Sequence, residues 1–122
     1  IDNSKNSPNI CLKSLNKCDA KIAIVPHMFG LPSSIQDIED KDIIEDCAQS
    51  LGASIENQKT GIIGKNGIFS FYATKLITSG GQGGMFVSRD KGLVDKVKDY
   101  REFDCRKDNK KTKNCLIQSK FY

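Results

Sequence analysis

The stretch IFSFYATK, Ile68 to Lys75, runs from an apolar segment straight into a lysine. Its first five residues, Ile68 to Tyr72, are β-branched or aromatic around one serine, the make-up of a strand that packs against a core. Along such a strand Ser70 and Tyr72 share one face, and Phe69 and Phe71 the other. An ionised ammonium is costly to bury. Either the chain surfaces at Lys75, or the amine takes part in chemistry.

Working outward, KIAIV (Lys21 to Val25) reads as a buried strand, and DIIED (Asp42 to Asp46) as a second strand. Between them PHMFGLP, with two prolines and a glycine, is a loop. SSIQDIEDK then predicts a short helix, with Ser33 or Ser34 as N-cap and acids in its first turns. CAQSLGA (Cys47 to Ala53) is a small-residue turn, and GIIGKNG (Gly61 to Gly67) a glycine-punctuated loop. SGGQGG (Ser79 to Gly84) is a tight turn before the strand MFVS (Met85 to Ser88). RDKGLVDKVKDYREF predicts a helix capped by Asp90, with Leu93, Val94, Val97 and Tyr100 on one face. Residues 1–20 are polar and read as an irregular lead-in. Short strands alternating with helices predict an α/β fold, a mostly parallel sheet with flanking helices.

The 122 residues suffice for one small domain. Residues 101–122 carry seven Lys/Arg and three Asp/Glu, a net 7 − 3 = +4, which is the charge of the whole chain. A basic end is by itself a weak nucleic-acid signal, and a solvated end is the favoured reading. The five cysteines show no C-x-x-C spacing, and a single histidine excludes zinc-finger patterns. Reduced thiols in a cytoplasmic protein are expected. No apolar run reaches the length of a membrane span, and no signal peptide is visible. The chain opens on Ile1 rather than a methionine, as in a processed product or a fragment.

In parallel sheets ligands bind beyond the carboxyl ends of the strands. The loops after Val25, Glu45 and Tyr72 carry His27, Asp46 and Lys75, three ionisable groups just past apolar strands. Each also has a plainer reading. Asp46 suits a cap before Cys-Ala-Gln-Ser, His27 a hydrogen-bonded loop residue, and Lys75 a solvent-facing strand end. No G-x-x-x-x-G-K-[ST] pattern is present, which removes a P-loop NTPase. The glycines of SGGQGG suit an anion cradle or an ordinary turn.

The series IIEDCAQSLGA, GIFSFYATK and GGQGGMFVS, preceded by VPHMFGLP, resembles the DegT/DnrJ/EryC1/StrS family. Its members are sugar aminotransferases of fold type I that depend on pyridoxal 5′-phosphate (PLP). The resemblance implies that Lys75 carries PLP as an imine and later moves the proton. A neutral amine is the nucleophile that such attachment needs. It implies that Asp46 faces the pyridinium nitrogen, that Gln49 meets the phenolic oxygen and that Ser70 binds the phosphate. His27 lies in a loop near the cofactor. By the same resemblance, glutamate donates an amino group to a nucleotide-linked keto-sugar, feeding lipopolysaccharide or other glycoconjugate synthesis, and the enzyme is a homodimer. The quoted motifs divide the chain into a lead-in at 1–20, a partial PLP-binding core at 21–104 and a divergent basic tail at 105–122.

Family members carry further segments, upstream and downstream, that these 122 residues do not include. Between LP and IED the family has a full helix and a longer strand. Only SSIQDIEDKD stands here, so one sheet face is expected to lie open. Catalysis by these residues alone is not expected. A non-enzymatic remnant or split product is the alternative reading, and a small basic nucleic-acid-binding module a minor one.

Overall fold

The computed structural model describes residues 3–38 and 40–106. A short helix α1 (Leu12–Asn16) precedes strand β1 (Ile22–Pro26), a tight turn at Met28–Gly30 and strand β2 (Asp42–Asp46). A small hairpin follows, β3 (Ser54–Ile55) and β4 (Gln58–Lys59). Then come β5 (Asn66–Ser70), β6 (Gly84–Ser88) and the helix α2 (Lys91–Arg106). The main sheet has the order β1-β2-β5-β6. β1, β2 and β5 are mutually parallel, and β6 runs antiparallel beside β5. The α/β fold with a mostly parallel sheet is thus present.

Register decides what each face carries. Ile24 sits beside Ile44, and Asp46 beside Ile68, so Ile22, Ile24, Ile44, Asp46, Ile68 and Ser70 share one face. The opposite face carries Ala23, Val25, Ile43, Glu45 and Phe69. The core forms on that second side. Leu15, Val25, Ile35 and Ile43 are buried together, with Ile10, Leu12, Ala23, Ile38 and Ile63 packed around them. On the first side Ile22 and Ile24 remain 60% and 62% exposed. KIAIV is therefore an edge strand covered on one face rather than a buried strand.

Two further expectations are corrected. Residues 1–20 are not wholly irregular: α1 delivers Leu15 to the centre of the core, fully buried. Among the described residues, 33–38 form no helix. Ser33, expected to cap one, donates its hydroxyl to Pro26 O (3.1 Å) and its N–H to His27 Nδ1 (2.9 Å). These bonds turn Ser33 back on the preceding loop instead of setting it at the start of a helix. The segment instead makes a turn, Ile38 N–H to Ile35 O, that buries Ile35 against β1 and β2.

β5 ends at Ser70, two residues earlier than IFSFY implied. Pairing continues irregularly, with Phe71 N–H on Gly83 O (2.8 Å) and Ala73 N–H on Gly81 O (2.9 Å). The SGGQGG segment is thus the partner strip of the lysine-bearing loop. α2 begins where Asp90 predicts: its carboxylate accepts the Leu93 N–H (3.1 Å). Leu93 and Val94 are half-buried, whereas Val97 and Tyr100 are exposed. Of the tail expected at 105–122, residues 107–122 lie outside the described residues.

Candidate functional site

Past the carboxyl ends of β2 and β5 lies a cavity of about 550 Å³. Its wall includes Gln49 from the turn after β2, Ser70 at the end of β5, and Thr74 and Lys75 from the loop beyond. Ala48, Leu51, Leu76, Ile77 and Phe29 supply its apolar surface. Among the described residues no carboxylate lines it. A ligand there meets an amine, an amide and two hydroxyls between apolar walls, a set suited to an anionic molecule with an apolar body.

Lys75 is delivered by a turn in which its N–H donates to Tyr72 O (2.9 Å). The turn is anchored behind by Ser79, whose N–H meets Phe71 O at 3.0 Å. Lys75 is half-buried. The charge therefore neither sits in the core nor stands free on the surface. It edges a cavity, which is how an apolar strand can end in an amine.

The turn after β2 is built by Asp46 and Cys47. Asp46 Oδ1 accepts the Ala48 N–H (3.0 Å), and Ser50 N–H reaches Cys47 O (3.1 Å). The hairpin braces this turn from outside: Thr60 donates its hydroxyl to Ser50 O (2.7 Å) and its N–H to Ala53 O (3.0 Å). Glu56 and Asn57 at the hairpin tip both have positive φ (49° and 63°), as a two-residue turn of the primed type requires.

Behind the cavity, on the core side of the sheet, Glu45 is fully buried. Its Oε2 accepts from His27 Nε2 (2.9 Å) and from the Gly61 N–H (2.7 Å), and its Oε1 from the Gly64 N–H (2.7 Å). Because Ser33 N–H donates to His27 Nδ1, the imidazole proton sits on Nε2 and points at Glu45. Burial pushes the Glu45 carboxyl up. The hydrogen bonds from His27, Gly61 and Gly64 outweigh that, and the group is held below its ordinary value. The loop can approach only because glycines stand there. A Cβ on Gly67 would meet Gly61 Cα at 2.5 Å.

Cys47 lies beside this pair. Ligand atoms of His27, Glu45 and Cys47 come within 4.8 Å of one another, but both Glu45 oxygens are already taken by N–H donors. Burial drives the Cys47 thiol up to about 11. The thiolate is the reactive form. At pH 8 native Cys47 should therefore resist alkylation and react only after denaturation, while the half-buried Cys11, its thiol lowered by Ser14, labels in the folded chain. Peptide mapping after a timed iodoacetamide pulse checks the order. Rapid native labelling of Cys47 would contradict its placement.

Of the residues singled out in the sequence, Lys75, Gln49 and Ser70 come together on one cavity. Asp46 ends β2 on the same sheet face as Ser70 but is not among the lining residues; its carboxylate closes a turn with the Ala48 N–H, and no helix starts there for it to cap. His27 is turned into the core, with both ring nitrogens engaged. Two residues were not singled out. Glu45 looked like half of an acidic pair at a strand end, and only strand alternation distinguished it from Asp46. Phe29 gave no signal beyond being aromatic in a loop.

Comparison with known proteins converges on one family. The family model of the DegT/DnrJ/EryC1/StrS aminotransferases matches residues 2–120, beyond both ends of the 21–104 span that carries the quoted motifs. A UDP-N-acetyl-3-dehydro-alpha-D-glucosamine 3-aminotransferase of Acidithiobacillus ferrooxidans is 40% identical over 86 residues, covering 65% of this chain and 23% of that protein. The solved aminotransferase from Psychrobacter cryohalolentis superposes with a TM-score of 0.70 at 31% identity, covering 79% of this chain and 27% of its own. A GDP-4-keto-6-deoxy-D-mannose-3-dehydratase from E. coli, solved with bound hydrated PLP, gives 0.67 at 27% identity, over 75% and 25%. The chain spans about a quarter of the length of the relatives it matches.

Proposed function

The chain belongs to the DegT/DnrJ/EryC1/StrS aminotransferase family, and from that membership we propose that its cavity is the PLP site of a nucleotide-sugar aminotransferase. The observation that carries the reading is the convergence of Lys75, Gln49 and Ser70 on one cavity. That donor set fits an anionic, phosphate-bearing aldehyde. When bound, PLP supplies an electron sink for the carbanion formed at the amino carbon.

The chain's own residues then divide the work. Lys75 is the nucleophile for the aldehyde and the base that moves a proton at the reacting carbon. The Ser70 hydroxyl, with Thr74 beside it, receives the phosphate. Gln49 has its Oε1 tied to the Phe29 N–H at 3.0 Å, so its NH₂ end is the one that donates to the ligand. Asp46 lies on the Ser70 face beside the cavity, and with Oδ1 bonded to the Ala48 N–H it is the other carboxylate oxygen that would face the ring nitrogen. Glu45 and His27 serve from behind, fixing the loops that shape the wall.

Glutamate as donor, a nucleotide-linked keto-sugar as acceptor, a homodimeric assembly and a cytoplasmic setting are the further parts of this proposal. The relatives are about three times as long as the chain, so complete transfer is assigned to the longer assembly and cofactor capture to this part. Among the described residues no helix is long and apolar enough to cross a membrane. A non-catalytic remnant is the second reading. Titration with PLP separates the two. The proposal expects a saturable absorption band toward the visible, at one cofactor per chain; absence of saturable binding favours the remnant.

A further inference from the structure

Phe29 combines three properties that do not belong together in an ordinary loop residue. Its backbone is left-handed, with φ 54° and ψ 28°, a conformation unfavourable for a bulky L-residue. Its side chain is 72% exposed, so core burial does not offset that strain. And it lines the cavity beside Gln49.

The surrounding loop over-determines this geometry. Asn9 Oδ1 accepts the Met28 N–H (2.8 Å), and Asn9 Nδ2 donates to Leu31 O (2.9 Å). Gln49 Oε1 accepts the Phe29 N–H, Leu31 N–H reaches Met28 O (2.9 Å), and Ser33 N–H reaches His27 Nδ1. Gly30 continues the left-handed path at φ 79°. Five hydrogen bonds thus hold the loop whose strained Phe29 backbone carries an exposed aromatic ring at a cavity wall. Strain of this kind persists where the surroundings enforce it, and it clusters at ligand clamps.

We propose that Phe29 is a ligand-contacting residue of this cavity, its ring held there to meet the flat face of a ring-bearing ligand. The inference rests on the PLP reading of the cavity and adds a residue and a contact type to it. A face-on or offset aromatic contact also explains why the wall beside the Gln49 donor is a phenyl ring rather than an aliphatic side chain.

The test compares the native chain with Phe29→Gly, Phe29→Leu and Phe29→Tyr, using PLP as the probe and thermal melting as the second readout. Glycine relieves the left-handed strain, so Tm should hold or rise, while PLP affinity falls about 2- to 10-fold. Leucine should also weaken binding, and tyrosine should restore it. Stability and binding moving apart in the glycine variant is a signature that a purely structural role does not produce. Native-like PLP affinity in both Phe29→Gly and Phe29→Leu would overturn the inference and leave the PLP reading standing. No saturable PLP binding by the native chain would overturn both.

Discussion

Glu45→Ala is expected to destabilise the fold by about 3–5 kcal/mol, because it removes the buried acceptor shared by three N–H donors. The size follows from what is left behind. His27 Nε2–H, Gly61 N–H and Gly64 N–H all donate to the one carboxylate. Each would lose its acceptor in a site that water does not enter, at roughly 1–3 kcal/mol per orphaned group. Small domains hold only on the order of 5–15 kcal/mol in total, so the variant should unfold at a much lower urea midpoint. Glu45→Gln keeps an acceptor but turns an NH₂ group toward an N–H donor, and should fall between. The pH dependence has a definite sign. The folded carboxyl is held below its ordinary value, so its contribution is full above the unfolded value and is lost as pH falls through the folded one. Urea melts of the native chain and the alanine variant, from neutral to acid, should therefore converge at low pH. A variant as stable as the native chain at neutral pH would show that Glu45 does not hold these loops together.

Lys75→Ala is expected to abolish covalent capture of PLP altogether while leaving the melting temperature nearly unchanged. The effect on capture is all-or-none because attachment needs a side-chain amine at the cavity wall, and among the lining residues Lys75 is the one that has it. The effect on stability is small because the side chain is only half-buried and the turn is held by backbone bonds, Lys75 N–H to Tyr72 O and Ser79 N–H to Phe71 O. Lys75→Arg should fail as completely, since a guanidinium keeps its charge and is no nucleophile at neutral pH. Borohydride treatment of each variant with PLP, followed by intact mass, reads the outcome. Retention of a single pyridoxyl group in the alanine variant would move the chemistry elsewhere.

The strands were legible because each is a short β-branched or aromatic run with its own boundary signals. KIAIV, DIIED, IFS and MFVS all lie in the main sheet. What could not be read was set by contacts distant in sequence. Ser33 has the chemistry of an N-cap, yet its groups bond to Pro26 and His27, and no local pattern announces that choice. The hairpin at 54–59 has two-residue strands, too short for any periodicity to register. Leu15 sits in a polar stretch, and its burial depends on the sheet across from it. In the site, Lys75, Gln49 and Ser70 were found through an ordered series of motifs, and they do line one cavity. Glu45 and Phe29 were missed for a physical reason. One acts through a burial that only strand alternation hints at, and the other through a backbone angle that composition does not encode.

The most direct measurement is to incubate the chain with limiting PLP, reduce with borohydride, digest, and locate the pyridoxyl group by mass spectrometry. Modification concentrated at Lys75, with the exposed lysines such as Lys59, Lys65 and Lys91 left bare, is the expected result. Label scattered over the surface lysines, with Lys75 no more modified than the rest, would contradict a PLP cavity built around that amine.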